Sequence, residues 1–245
     1  MATIPAVSPQ VLEQLRQYDT PTVCNVIELF NVKPHNVGYM DYRIKCCFPQ
    51  FPPMVGYAVT AMYGSDAPPE GGDVYGVLGR QVASYADLPG PPVMVFQDLD
   101  DPPVAATFGD LMCSTYQAFG AVGIVTSGGG RDLDQVEALN FPAFVGSVIC
   151  SHAYAHIKAV NIPVRVGGMT VRPGDLLHGD RNGVTTIPHE IVSEMPQALA
   201  DFVAAEAFVL DYVKKPSPTL TGLQDSAAQL RSAMKTLAER LRRQP

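Results

Sequence analysis

The sequence is short of charge. Of 245 residues only 17% are Asp, Glu, Lys or Arg, while 47% are hydrophobic. Such a shortfall points to surface buried between subunits, because obligate interfaces resemble a core cut in two. Positive charge is the scarcer sign, with 17 Lys and Arg against 24 Asp and Glu, a net charge of −7. That balance argues against a nucleic-acid groove or an anionic membrane as partner. The basic run at 239–243 is short and reads as a solvated helix end. No apolar run reaches about 18 residues, so no membrane span is expected. Residues 1–10 lack the charged-then-apolar pattern of a secretory signal. The five cysteines include no C-x-x-C pair; Cys24, Cys113 and Cys150 sit in apolar sequence and Cys46-Cys47 are adjacent. They read as buried free thiols of a protein in the reducing cytoplasm. Internal repeats and low-complexity stretches are absent as well.

What is present can be ordered by periodicity and breakers. Stretches 11–16 and 21–30 read as short helices, Pro21 suiting a first helical position. Residues 31–53 have no period and read as loop. The β-branched run 54–62 reads as a strand, 67–73 as a turn and 74–85 as a helix. A short buried strand follows at 93–97, then a proline-bearing loop at 98–107, a helix at 109–119 and a second buried strand at 122–126. The glycines of 127–130 read as a tight turn, 133–139 as a helix and 143–145 as a strand. Residues 163–187 read as a β-meander, punctuated by Gly167-Gly168, Arg172-Pro173-Gly174-Asp175 and Asp180-Arg181-Asn182-Gly183. Residues 189–213 read as helix, Pro216-Ser217-Pro218 as a hinge and 223–243 as a final amphipathic helix. Two buried strands one helix apart predict a parallel βαβ unit, hence an α/β core. Ligands of such sheets gather beyond the carboxyl ends of the strands. Here those ends are the loops 98–108 and 127–132.

Two elements converge there. Gly109-Asp110-Leu111-Met112 opens a helix, and unpaired N–H groups at a helix start hold a carboxylate or phosphate. Gly128-Gly129-Gly130 leads into Arg131-Asp132. Three ordered glycines each cost roughly 0.5–1 kcal/mol of chain entropy, so the turn asks for a reason. Arginine offers a planar fork to an oxyanion, and aspartate is a hard oxygen ligand suited to magnesium or manganese. The plain readings are a tight turn and a solvated ion pair. A dinucleotide loop is not supported, since G-x-G-x-x-G is missing, and a Walker loop is absent.

The stretch G-D-L-M-x18-R-D, followed at 166–188 by V-G-G-M-T-V-R-P-G-D-L-L-H-G-D-R-N-G-V-T-T-I-P, resembles the RraA-like family. That family includes 4-hydroxy-4-methyl-2-oxoglutarate aldolases and regulators of ribonuclease E activity. The likeness covers roughly residues 54–190. It implies a swivelling β/β/α domain, with N-terminal helices and loop at 1–53, the core at 54–190 and C-terminal helices at 191–245. It further implies a metal-dependent class II pyruvate aldolase, a lyase, working as a homotrimer or hexamer with sites between subunits. By the same likeness the amides of Gly109, Asp110, Leu111 and Met112 would hold the pyruvyl carboxylate. Arg131 would hold the pyruvyl oxygens and stabilise the enolate. Asp132 would ligate Mg²⁺ or Mn²⁺, Asp110 would orient metal-bound water, and Glu206 of a neighbouring subunit would complete the site. An enolate also forms when oxaloacetate loses CO₂, so decarboxylation is a natural second activity.

Other residues read differently. Asn25 stands where the family often carries an acid. Asp98, Asp100 and Asp101 read as a solvated acidic loop. His152 and His156, four apart, would share a face if helical, yet without a third ligand they read as a surface pair. His178 and His189 read as structural. A non-enzymatic RraA-like regulator is the alternative function; Asp132, which some regulators lack, favours an enzyme. A Schiff-base aldolase would need Lys158, whose apolar run is explained by snorkelling. No adenosylmethionine loop supports methyl transfer.

Overall fold

A computed structural model describes residues 4–69 and 75–243. The chain opens with α1 (Pro9–Leu15) and α2 (Thr20–Phe30), each started by a side-chain cap, Ser8 on the Val11 N–H and Asp19 on the Thr22 N–H. Two-residue β1 (Lys45–Cys46) follows within the stretch expected to be loop. Long β2 (Met54–Gly64) is buried at every position but Met62, the pattern of a strand covered on both faces. Next come α3 (Tyr75–Ala83), a 3₁₀ turn (Ser84–Asp87), β3 (Pro92–Asp98), β4 (Ala106–Phe108) and α4 (Asp110–Ala118). Then follow β5 (Ile124–Thr126), β6 (Gly129–Gly130), α5 (Leu133–Ala138), β7 (Ala143–Val145) and β8 (Ser147–Val148). The later strands are β9 (His156–Val160), β10 (Val164–Val166), β11 (Met169–Val171), β12 (Leu176–Asp180) and β13 (Gly183–Ile187). Helices α6 (Met195–Val213) and α7 (Leu220–Leu241) close the chain. Most of the turn expected at 67–73, and the first residue of the helix expected at 74–85, lie outside the described residues.

The main sheet has eight strands in the order β1-β7-β5-β3-β2-β12-β13, with β9 also on β2. Its centre, β2, β3, β5 and β7, is parallel, as the βαβ reading predicts. β2 pairs β3 along one edge; on the other, its first half pairs β12 and its second half β9. The segment 163–187 is therefore not one meander. It divides into the hairpin β10–β11, a separate sheet, and the hairpin β12–β13, which joins the main one. The turn Gly167-Gly168, at φ +53° and +75°, closes the first hairpin.

Alternation along β2 sorts its side chains into layers. Val55 and Tyr57 pack with α1, α2, α6 and α7. Val59, Ala61 and Tyr63 pack with residues of α4 and α5. The opposite face, Met54 and Ala58, meets Val164, Val166, Met169 and Val171 of the β10–β11 hairpin. The molecule is thus helix, sheet and hairpin in layers, a mixed β/β/α arrangement with helices at both termini. The terminal helices form one layer with each other, since Leu237 and Leu241 of α7 share a cluster with Leu12 and Val26.

Candidate active site

Each of three neighbouring parallel strands runs on into a second, smaller sheet. β3 leads to β4, β5 to β6 and β7 to β8, and the three continuations pair in parallel as β4-β6-β8. Of the glycines expected to form a tight turn, Gly129 and Gly130 are therefore strand, while Ser127 and Gly128 are a bend that leads into it. At all three glycines the neighbours are close. A Cβ on Gly128 would lie 2.2 Å from Asp98 Oδ2, and one on Gly130 2.7 Å from the Phe108 ring. The small sheet carries two chain segments to one place: β4 ends at the start of α4, and β6 ends at Arg131-Asp132. The Arg131 N–H donates to the Phe108 carbonyl at 3.2 Å and fastens them together.

The left-handed backbone in this loop falls on Asp132 instead, at φ +54° and ψ +39°. That conformation is uncommon for a residue with a side chain. It aims the carboxylate at the start of α4, whose N-cap is Gly109, without a capping side chain. Asp132 Oδ2 accepts from the Asp110 N–H at 3.2 Å, acting as the missing cap from 22 residues away. The same contact fixes Gly109, because a Cβ there would lie 2.3 Å from Asp132 Oδ2. Asp110 Oδ1 accepts from the Leu111 N–H at 2.7 Å. Of the amides expected to hold a substrate carboxylate, two are thus already engaged by carboxylates. The Met112 N–H makes no hydrogen bond among the described residues. Arg131 Nε lies 3.7 Å from Asp132 Oδ2, leaving the two terminal nitrogens of the fork for a ligand.

Gly109, Asp110, Leu111, Met112 and Arg131 line one cavity of about 250 Å³. The sequence missed the rest of its described wall: Pro69, then Ala106, Thr107 and Phe108 of β4, and the loop His152–Ala155. Glu206 is half-buried on α6, in the helical layer, and does not line the cavity of its own chain. His152 and His156 are not on one helix; the first is in a loop and the second begins β9. Lys158 is exposed on β9 and lines no part of the cavity. Asn25 is exposed on α2.

The acidic loop is not simply solvated. Asp98 is only 8% exposed, with Oδ2 unpartnered and Oδ1 accepting from the Asp100 N–H. Burial pushes its pKa up to about 6. Asp100 accepts from both the N–H and the hydroxyl of Ser65. These acids face a different cavity, of about 440 Å³, with Arg43 and Arg165. Cys150, expected to be buried, is exposed, and all five thiols are free. His178 is structural, wholly buried between the Thr20 hydroxyl and the Leu15 carbonyl.

Among the described residues no group of three His, Cys, Asp or Glu is arranged to hold a metal. Asp132 and Asp110 nonetheless set two hard carboxylates beside each other, each with an oxygen not spent on an amide. Mg²⁺ is commonly held by one or two carboxylates, its other positions filled by water and substrate. The donor set fits such an ion.

Comparison with known proteins bears on the family and the fold. The RraA-like family, described as Aldolase/RraA, matches residues 20–186. A protein of Halalkalibacterium halodurans named "Putative 4-hydroxy-4-methyl-2-oxoglutarate aldolase" is 33% identical over 136 residues, 54% of this chain. The match covers 64% of that relative, so the chain spans less than two thirds of its length. The structure of an uncharacterized protein from Pseudomonas syringae pv. tomato superposes with a TM-score of 0.71 at 22% identity, covering 92% of this chain and 96% of that one. Streptomyces coelicolor RraAS2, described as an unusual member of the RNase ES inhibitor RraA protein family, gives 0.67 at 20%, covering 83% and 97%. At these identities the two structures speak to the fold alone. With the family match running from the first residue of α2 into β13, the chain belongs to the RraA-like (Aldolase/RraA) family.

Proposed function

We propose that the chain is a divalent-metal-dependent lyase that cleaves the C–C bond of a 4-hydroxy-2-oxo acid and releases pyruvate. The observation that carries this reading is that Arg131 lines one cavity with the start of α4, while Asp132, which is not itself on the cavity wall, accepts from the Asp110 N–H behind it. Cleavage beside a pyruvyl unit leaves an enolate, whose charge must be met by fixed positive charge. Arg131 supplies a fork for the C2 oxygen and the carboxylate, and the Met112 N–H, at the positive end of the α4 dipole, supplies a further donor. Asp132, with Asp110 beside it, would hold Mg²⁺ or Mn²⁺, which when bound serves as a Lewis acid for the same oxygens. Asp110 would orient a water at the site. The exposed setting of Lys158 argues against a Schiff base, and the presence of Asp132 favours catalysis over regulation alone.

We place the enzyme in the cytoplasm, where its five free thiols would stay reduced. No helix among the described residues is long and apolar enough to cross a membrane. Neighbouring copies, in a trimer or hexamer, would bring Glu206 to the site that it does not reach in its own chain. The test is pyruvate release from a panel of 4-hydroxy-2-oxo acids and oxaloacetate, with Mg²⁺, with Mn²⁺ and with chelator. Turnover should require the metal. Asp132→Asn should lose turnover and calorimetric metal binding together while keeping its melting temperature. Full activity in excess chelator would overturn metal dependence, and borohydride trapping of pyruvate on the protein would replace it with Schiff-base chemistry.

A further inference from the structure

The cavity wall formed by His152, Ala153, Tyr154 and Ala155 has no role in the reading above. Its backbone is nevertheless firmly held. The Ala106 N–H donates to the Ser151 carbonyl at 2.8 Å, the Ala153 N–H to the Ser151 hydroxyl at 3.1 Å and the Tyr154 N–H to the Ser65 carbonyl at 3.2 Å. Ala153 sits in the left-handed region at φ +41°, which for a residue with a Cβ costs roughly 1–2 kcal/mol. The strained turn sets His152 on the wall of the cavity that contains Arg131.

One hydrogen bond decides the state of that imidazole. Nδ1 lies 2.9 Å from the Ala153 carbonyl oxygen. A carbonyl only accepts, so Nδ1 carries a proton, and in the neutral ring Nε2 holds the lone pair. Nε2 has no hydrogen-bond partner among the described residues. Among the described residues the charged groups sharing the cavity are Arg131 and Asp110. Arginine does not give up its proton, and the free oxygen of Asp110 is taken up by the metal site of the reading above. His156, next along the chain, has its own Nδ1 on the Tyr154 carbonyl.

We propose that His152 is the general base that removes the proton from the C4 hydroxyl of the substrate. This rests on the reading of the site as a 4-hydroxy-2-oxo acid lyase. With the pyruvyl end at Arg131 and α4, the C4 end of the substrate is left to the rest of the cavity wall, which includes His152. The hydroxyl proton passes to Nε2, the C4–O bond becomes a carbonyl, and the C3–C4 bond breaks. Its electron pair forms the C2–C3 enolate held by Arg131, and protonation at C3 gives pyruvate. Loss of CO₂ from oxaloacetate makes the same enolate but has no hydroxyl proton to remove, so it does not need this base.

The two reactions supply the test. His152→Gln and His152→Ala should lower kcat for a 4-hydroxy-2-oxo acid by about 10²–10⁴-fold, the usual contribution of a general base. Oxaloacetate decarboxylation should stay within about threefold of wild type, because enolate stabilisation is untouched. The inhibition constant of oxalate, a planar mimic of the enolate, should be unchanged. If both reactions fall together, or oxalate inhibition weakens alongside, His152 only shapes the cavity and the proposal is wrong. It is equally wrong if neither reaction falls. Should the wild type cleave without decarboxylating, oxalate inhibition decides between these outcomes. Should it do neither, the lyase reading itself fails, and this inference with it.

Discussion

Gly109 and Asp132 explain each other. A glycine N-cap leaves its helix without a side-chain acceptor, and an aspartate in the left-handed region holds an unfavourable backbone. Together they place a carboxylate where a capping side chain would sit, with Oδ2 on the Asp110 N–H. Arg131 is bound to this arrangement through its backbone and through Nε, so its terminal nitrogens are positioned before any ligand arrives. Pre-positioned donors matter most where charge develops, which places the effect of Arg131 in the transition state. Arg131→Lys keeps the charge and loses the planar fork. Its kcat should fall on the order of 10²–10³-fold, as for the loss of one oxyanion donor, and Arg131→Ala should be worse. KM should change less than kcat, because the α4 start still attracts the substrate carboxylate. Steady-state kinetics on the best substrate of the panel would check this; a rise in KM with kcat unchanged would reduce Arg131 to an anchor.

At the scale of elements, the sequence disclosed whatever rests on a run of side chains. The buried strands β2, β3 and β5 are apolar runs, and α2 carries Asp19 and Pro21 at its start. The place of the site follows from the parallel strands, whose carboxyl ends are legible. The small sheet was not legible, because β6 is two glycines and β8 two residues, too short for any period. Nor was the His152 wall, which faces the cavity through tertiary folding and no local pattern. Glycine itself was read only in part: Gly128 does bend the chain, but Gly129 and Gly130 are strand, and all three mark close approach. Gly146, the bend between β7 and β8, repeats this, since a Cβ there would lie 2.2 Å from the Ser127 carbonyl oxygen, a backbone atom with little freedom to move. Gly146→Ala should destabilise by about 1–3 kcal/mol, the usual range for overpacking. Gly79, within α3, has nothing within 4 Å of its would-be Cβ. Gly79→Ala should therefore stabilise by about 0.5–1 kcal/mol through helix propensity. Denaturant melts of both variants would check the contrast; equal effects would show that crowding at the bend is not what selects glycine.

For the whole molecule, light scattering at micromolar concentration should find a trimer or a multiple of it, and a monomer would count against the shared site. A second global property is stability against pH, where two buried groups oppose each other. Asp98 has its pKa raised by burial from 3.8 to about 6. Between those values the native state holds more protons than the unfolded chain, so Asp98 makes stability fall as pH rises, and its penalty is complete above about 6. His178 has its pKa lowered from 6.5, chiefly by burial. There the unfolded chain binds the proton more readily, so that contribution is present above 6.5 and is lost as pH falls. The wild-type curve sums opposing slopes over the same window and hides both, whereas the difference between wild type and Asp98→Asn isolates one. The variant retains an oxygen for the Asp100 N–H and removes the buried charge. It should be more stable than wild type above pH 6, by on the order of 1–3 kcal/mol for a pKa raised by about two. Below about pH 3 that advantage should vanish, because wild-type Asp98 is then protonated in both states. The acid-side loss from His178 should stand out in the variant. Thermal melts of both proteins across this range would check it. A constant offset at every pH would mean that Asp98→Asn acts through packing against Gly128 and not through its charge.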